Sequence, residues 1–125
     1  MTNYVAVYGS LRQGLGNHRL LEQSELIGIH TVSLPYTMLD LGSFPGLVRN
    51  KWKTTPITVE VYAVDDETME SLDWLEGYPR FYNREQVEIG DKEAWIYFLA
   101  DRTQYVRTAT VASGDWKSYI NQRYA

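Results

Sequence analysis

Tyr4-Val5-Ala6-Val7-Tyr8-Gly9-Ser10-Leu11-Arg12 runs from apolar β-formers straight into a glycine. Val and Tyr favour extended backbone and Gly ends such a run, so the chain is expected to leave a first strand, Tyr4 to Tyr8, directly into a turn. Gly9 is expected there to take backbone angles barred to other residues. Several consecutive N–H groups left unpaired after the strand would then converge on an anion or a developing oxyanion. A site is expected at the end of this strand.

Working outward, strand-like stretches dominate: Leu26 to Ser33, Tyr36 to Leu41, Ile57 to Val64, Gln86 to Ile89 and Ala94 to Leu99. Thr58-Val59-Glu60-Val61-Tyr62-Ala63-Val64 partly alternates polar with apolar, the pattern of a half-buried strand. Gly90-Asp91 is expected to turn a hairpin with a positive φ at the glycine. Helical signals are fewer. Asp65 or Asp66 would cap a helix whose stripe is Met69, Leu72 and Leu75, with Gly77 and Pro79 stopping it. Ser113 would cap a terminal helix that sets Trp116, Tyr119 and Ile120 on one face, and Asn17 to Gln23 would form a short helix. Many short strands with few helices predict an α+β architecture built on a mostly antiparallel, curved or closed sheet.

The 125 residues are expected to form one domain, 1–125, large enough to bury a core unaided. With no Cys, disulfide scaffolds, Cys-based zinc sites and thiol nucleophiles are excluded. The formal net charge is -4 and the basic residues are scattered, so neither nucleic acid nor anionic lipid is expected as a partner. The start lacks the basic and long apolar regions of a signal peptide, and no run is long enough to span a bilayer. A cytoplasmic location is therefore expected.

Several chemistries fail on spacing. Gly9 and Gly14 have the separation of a Walker A loop, but Leu15-Gly16 stands where Lys-Ser or Lys-Thr is needed. Gly14-Leu15-Gly16-Asn17-His18-Arg19 has Arg in place of the third glycine of a dinucleotide fingerprint. His18 and His30 are far apart, with no carboxylate at ligand spacing, so no metal site is expected. Ser10 is not in a Gly-x-Ser-x-Gly elbow. What stands out is Glu76, at the end of the predicted helix beside Trp74, Leu75 and Tyr78. Burial and the helix C-terminus would both make its carboxylate a stronger base than a solvated one. Asp73, three residues earlier, would share its face, as a surface residue or as a helper.

In order along the chain, Tyr8-Gly9-Ser10-Leu11-Arg12, Phe44-Pro45-Gly46, Leu72-Asp73-Trp74-Leu75-Glu76-Gly77-Tyr78-Pro79, Tyr82-Asn83-Arg84, Ala94-Trp95-Ile96-Tyr97 and Ser113-Gly114-Asp115-Trp116 resemble one family. It is the γ-glutamylcyclotransferase family, in the small single-domain branch that includes γ-glutamylamine cyclotransferases and AIG2-like proteins. The resemblance implies a β-barrel of about six strands flanked by helices, its cavity opening beside the turn after the first strand. It implies conversion of a γ-glutamyl amine or γ-glutamyl amino acid to 5-oxoproline and a free amine, without cofactor or metal. Glu76 would be the general acid and base, while Tyr8, Gly9, Ser10, Leu11 and Tyr82 would bind the small-molecule γ-glutamyl substrate. Leu11-Arg12 departs from the glutathione-product branch, which has Asn after the Ser, and Gly77-Tyr78-Pro79 is closer to the γ-glutamylamine branch. A non-catalytic small-molecule binding protein on the same fold is the alternative.

Overall fold

The computed structural model describes residues 2–101, 103–105 and 107–123. In chain order the strands are β1 (Asn3–Val7), β2 (Glu25–Leu34), β3 (Tyr36–Asp40), β4 (Pro45–Arg49), β5 (Thr55–Val64), β6 (Tyr82–Ile89) and β7 (Lys92–Leu99). The helices are α1 (Asp66–Leu75) and α2 (Trp116–Arg123), with 3-10 turns at His18–Leu21 and Thr103–Tyr105. The fold is α+β, as expected. Five strands form a mixed sheet in the order β2-β5-β1-β7-β6, and β3 pairs with β4 in a separate ribbon. The one parallel pair joins β1 to β7, with Val5 opposite Trp95, and it places the end of β1 in the middle of the sheet. The ladder starts at β2 and stops at β6 without joining these edges, so the sheet is not closed by its pairing and the expected barrel is not borne out.

The sheet is covered on both faces. Ala6, Ile57, Val59, Val61, Ile96 and Phe98 bury one face together with Tyr36, Met38 and Leu47 of the ribbon and Trp116 of α2. Val5, Val7, Tyr62, Val64, Tyr97 and Leu99 bury the other with Met69 and Leu72 of α1. The period-2 alternation of β1 and β7 thus feeds two cores. The same two-sided cover overturns the half-buried reading of Thr58–Val64. Thr58 and Glu60 are buried as well, because β5 is an interior strand between β2 and β1. Their polar atoms are satisfied: Thr58 Oγ1 shares a hydrogen bond with Thr31 Oγ1 at 2.8 Å, and Glu60 accepts from three donors described below.

Local signals held where a cap or turn decides the backbone. Asp65 caps α1, its carboxylate accepting from the Thr68 amide at 2.7 Å, and Gly90 turns the β6–β7 hairpin with φ +62°. Four details differ. Asp115, not Ser113, caps α2, accepting from the Ser118 amide at 3.2 Å. The short helix shrinks to the 3-10 turn His18–Leu21. β6 starts at Tyr82, four residues before the expected Gln86. Finally, Pro45–Arg49 is a strand, because a proline at the first position of a strand in a two-stranded ribbon loses no needed donor. No helix among the described residues is long and apolar enough to cross a membrane.

Candidate active site

The turn after β1 is held from behind by charge. The Arg12 side chain is buried; its Nε donates to Glu60 at 3.0 Å and its Nη1 to Asp115 at 2.9 Å. Glu60 also accepts from the Gln13 amide at 2.9 Å and from the Tyr62 hydroxyl at 2.8 Å. A carboxylate in the middle of a core strand is tolerated only with such partners. Here they tie the turn to β5 and to the cap of α2. On its near side the turn closes on itself: the Arg12 amide donates to Gly9 O, and Asn17 reaches back twice. The Asn17 amide donates to Ser10 O at 3.0 Å, and its Nδ2 donates to Ser10 Oγ at 2.8 Å. His18 Nδ1–H donates to Leu11 O at 2.9 Å. The N–H groups of Gly9, Ser10 and Leu11 have no acceptor among the described residues.

Gly9 is needed for a different reason from the one expected. Its φ is not positive; a Cβ there would lie 2.9 Å from both Cδ and Cγ of Pro45. A proline ring cannot swing away, so close approach and not backbone angle demands glycine.

Across from the turn, α1 ends in two hydrogen bonds. The Gly77 amide donates to Trp74 O at 3.2 Å and the Tyr78 amide to Asp73 O at 3.0 Å, with Gly77 at φ +65°. This is the Schellman stop that the glycine predicts. It leaves Glu76 as the C-cap, half-buried, with its carboxyl pushed up to about 7 by burial. No described residue hydrogen-bonds to that carboxylate.

Three tyrosines surround this position, all with phenols held protonated above their ordinary range. Burial is the main cause, and the Glu76 charge adds to it in each. Each has its own acceptor: Tyr8 donates to Tyr97 O at 2.8 Å, Tyr82 to Pro45 O at 2.7 Å, and Tyr97 to Asp73 Oδ1 at 2.8 Å. Asp73 is therefore engaged. Arg84 Nη2 donates to its Oδ2 at 3.2 Å, and the Arg84 guanidinium stacks 4.2 Å over Trp95. Asp73 is thus ion-paired and anchors Tyr97, while the carboxylate without a hydrogen-bond partner among the described residues is that of Glu76.

A cavity of about 440 Å3 brings these parts together. Tyr8, Gly9, Ser10, Leu11, Glu76 and Tyr82, the six positions expected from sequence, all line it. So do Asn17, Phe44, Pro45, Phe81 and Tyr97, to which no site role was given. Phe44-Pro45 and Tyr97 lay inside family segments, so their presence had a signal. Asn17 and Phe81 had none, since a bond back across seven residues and an aromatic wall have no local pattern. The cavity thus combines a basic carboxylate, free of protein donors, with unpaired amides: the parts for moving a proton and for holding a negative oxygen. Among the described residues no cluster of three or more His, Cys, Asp or Glu is placed to hold a metal.

Residues 5–118 match the model of the family described as "Gamma-glutamyl cyclotransferase, AIG2-like". The chain is 38% identical over 116 residues to a Vibrio cholerae protein named "Putative gamma-glutamylcyclotransferase", covering 93% of this chain and 96% of that one. It is 30% identical over 112 residues to the gamma-glutamylcyclotransferase family protein YtfP of Escherichia coli, covering 90% and 94%. Among solved structures, protein PH0828 of Pyrococcus horikoshii superposes with a TM-score of 0.81 at 24% identity, covering 98% of this chain and 96% of that one, a likeness of fold.

Proposed function

Because the chain belongs to the gamma-glutamyl cyclotransferase, AIG2-like family, we propose that it catalyses intramolecular aminolysis of a γ-glutamyl amide, with Glu76 as its general base and acid. The observation that carries this reading is Glu76 itself: a carboxyl raised to about 7 by burial, without a hydrogen-bond partner among the described residues, on the wall of a cavity also lined by Gly9, Ser10 and Leu11, whose amides have no acceptor among those residues.

The substrate's α-ammonium gives one proton to the Glu76 carboxylate, and the freed amine attacks the γ-carbonyl carbon. A C–N bond forms and closes the five-membered ring of 5-oxoproline. The carbonyl oxygen carries the charge of the tetrahedral stage. Glu76 returns its proton to the leaving nitrogen as the original C–N bond breaks, and the second proton on the ring nitrogen departs with the released amine as its ammonium ion. Because the nucleophile is already tethered, holding the bent conformer supplies much of the rate. The amides of Gly9, Ser10 and Leu11 serve either the oxyanion or the substrate's α-carboxylate, both of which they suit chemically. Tyr8 and Tyr82, whose hydroxyls are committed to backbone carbonyls, shape the wall rather than move protons. No step requires a cofactor.

The test is a panel of γ-glutamyl amines and dipeptides assayed for 5-oxoproline, with wild type beside a folded Glu76→Gln variant. Product from the wild type alone is the expected result. Product formation by both at similar rates would remove Glu76 from the mechanism.

A further inference from the structure

A shallow, open hollow of about 410 Å3 adjoins the first cavity, lined by Asp40, Leu41, Phe44, Phe81, Tyr105 and Thr108. Phe44 and Phe81 line both. They pack edge to face with ring centroids 6.1 Å apart, and Phe81 in turn packs edge to face on Tyr82 at 4.9 Å. An aromatic wall therefore runs from the side of Glu76's cavity into its neighbour. Phe44 and Phe81 remain 36% and 40% exposed, unusual for phenylalanines that already have each other as partners.

The charges around this wall select among leaving groups. Among the described residues, Glu76 and Asp40 are the charged residues lining the two cavities, and no Lys or Arg lines either. A leaving amino acid would bring a second carboxylate beside Glu76 and onto a wall that, among the described residues, no Lys or Arg lines; the Arg123 guanidinium behind Asp40 is already bonded to that carboxylate and to Gly42 O. A cationic leaving group would need Asp40, but that carboxylate is already engaged. It accepts from the Gly42 amide at 2.7 Å, the Tyr119 hydroxyl at 2.7 Å and Arg123 Nη1 at 3.0 Å. A flat apolar group gains what the wall has to offer, aromatic stacking and removal of exposed ring surface from water.

We infer that Phe44 and Phe81 form the leaving-group subsite, and that it takes an uncharged aromatic or bulky apolar amine. This rests on the cyclotransferase reading of the first cavity. The experiment measures kcat/KM for four substrates sharing the γ-glutamyl group: its methylamide, benzylamide, ε-lysine amide and glycine dipeptide. The benzylamide should exceed the lysine and glycine compounds by about tenfold or more, the scale on which an apolar pocket discriminates. Phe81→Ala should lower the benzylamide-to-methylamide ratio by about tenfold, and Phe44→Ala should lower it in the same direction if the first variant fails to fold. Equal or faster turnover of the lysine or glycine compound would overturn the inference. So would loss of benzylamide and methylamide activity in equal proportion, which would make the wall structural. If none of the four is turned over, the cyclotransferase reading falls. The subsite is then judged by calorimetric titration of the benzylamide against the methylamide, and equal affinities would overturn it.

Discussion

Glu76 makes two predictions that pull in opposite directions, which separates its chemistry from its packing. As the base it must be ionised, so kcat/KM should rise through an acid limb with a midpoint of about 7, against the 4.5 of a solvated glutamate. Rates on a γ-glutamyl amide from pH 5 to 9 would show it. A limb near 4.5 would mean that the carboxyl is not held as described. Stability runs the other way. Between 4.5 and about 7 the folded protein keeps a proton that the unfolded chain has lost, so stability falls as pH rises across that window and then levels off. Glu76→Gln, which has no charge to bury, should therefore be inactive yet more stable than wild type at pH 8, by at most about 3 kcal/mol. Urea unfolding at pH 8 and pH 4 would test it: the difference should be largest at pH 8 and vanish near pH 4.

The turn between β1 and the 3-10 segment is the element that presents the amides, and it depends on contacts on both of its sides. Toward the cavity, Gly9→Ala drives a Cβ into the Pro45 ring at 2.9 Å, so the turn must shift and carry the amides of residues 9–11 with it. We expect a folded variant, destabilised by about 1–3 kcal/mol, that binds 5-oxoproline far more weakly in a calorimetric titration. Ser10→Ala removes the bond from Asn17 and should cost about 1 kcal/mol while leaving most of that binding intact. The reverse ranking of the two variants would mean that the Ser10 hydroxyl, and not the backbone, holds the ligand. Behind the turn, Arg12→Met leaves buried Glu60 with two neutral donors and no cation. The loss should be about 3 kcal/mol or more in thermal or urea unfolding. An unchanged midpoint would show that the network does not bear on the turn.

For the molecule as a whole, the mechanism uses only a carboxyl, backbone amides and the substrate's own amine, so activity should survive exhaustive chelation with EDTA. Loss on chelation and recovery on adding zinc or manganese would contradict it. Much of this arrangement was legible in sequence, wherever a short stretch decides its own backbone. Asp65 caps α1 and Gly77 ends it, so the place of Glu76 at the C-cap of a helix follows from a cap, a stripe and a glycine. The apolar run of β1 and the turn at Gly9 follow likewise. What sequence could not supply depends on partners distant along the chain. Glu60 looks like the polar face of a half-exposed strand, and only the insertion of β5 between β2 and β1, with Arg12 arriving 48 positions away, makes it a buried anchor. Gly9 reads as a conformational glycine until β4 brings Pro45 against it. The pairing that leaves β2 and β6 as unjoined edges is a property of the assembled sheet. Local residues determine caps, turns and which side chains can carry chemistry, because those depend on backbone geometry over a few residues. The extent of burial and the aromatic wall were decided by tertiary structure, which also supplies the burial behind the raised proton affinity expected of Glu76, because each is set by what other parts of the chain exclude from water.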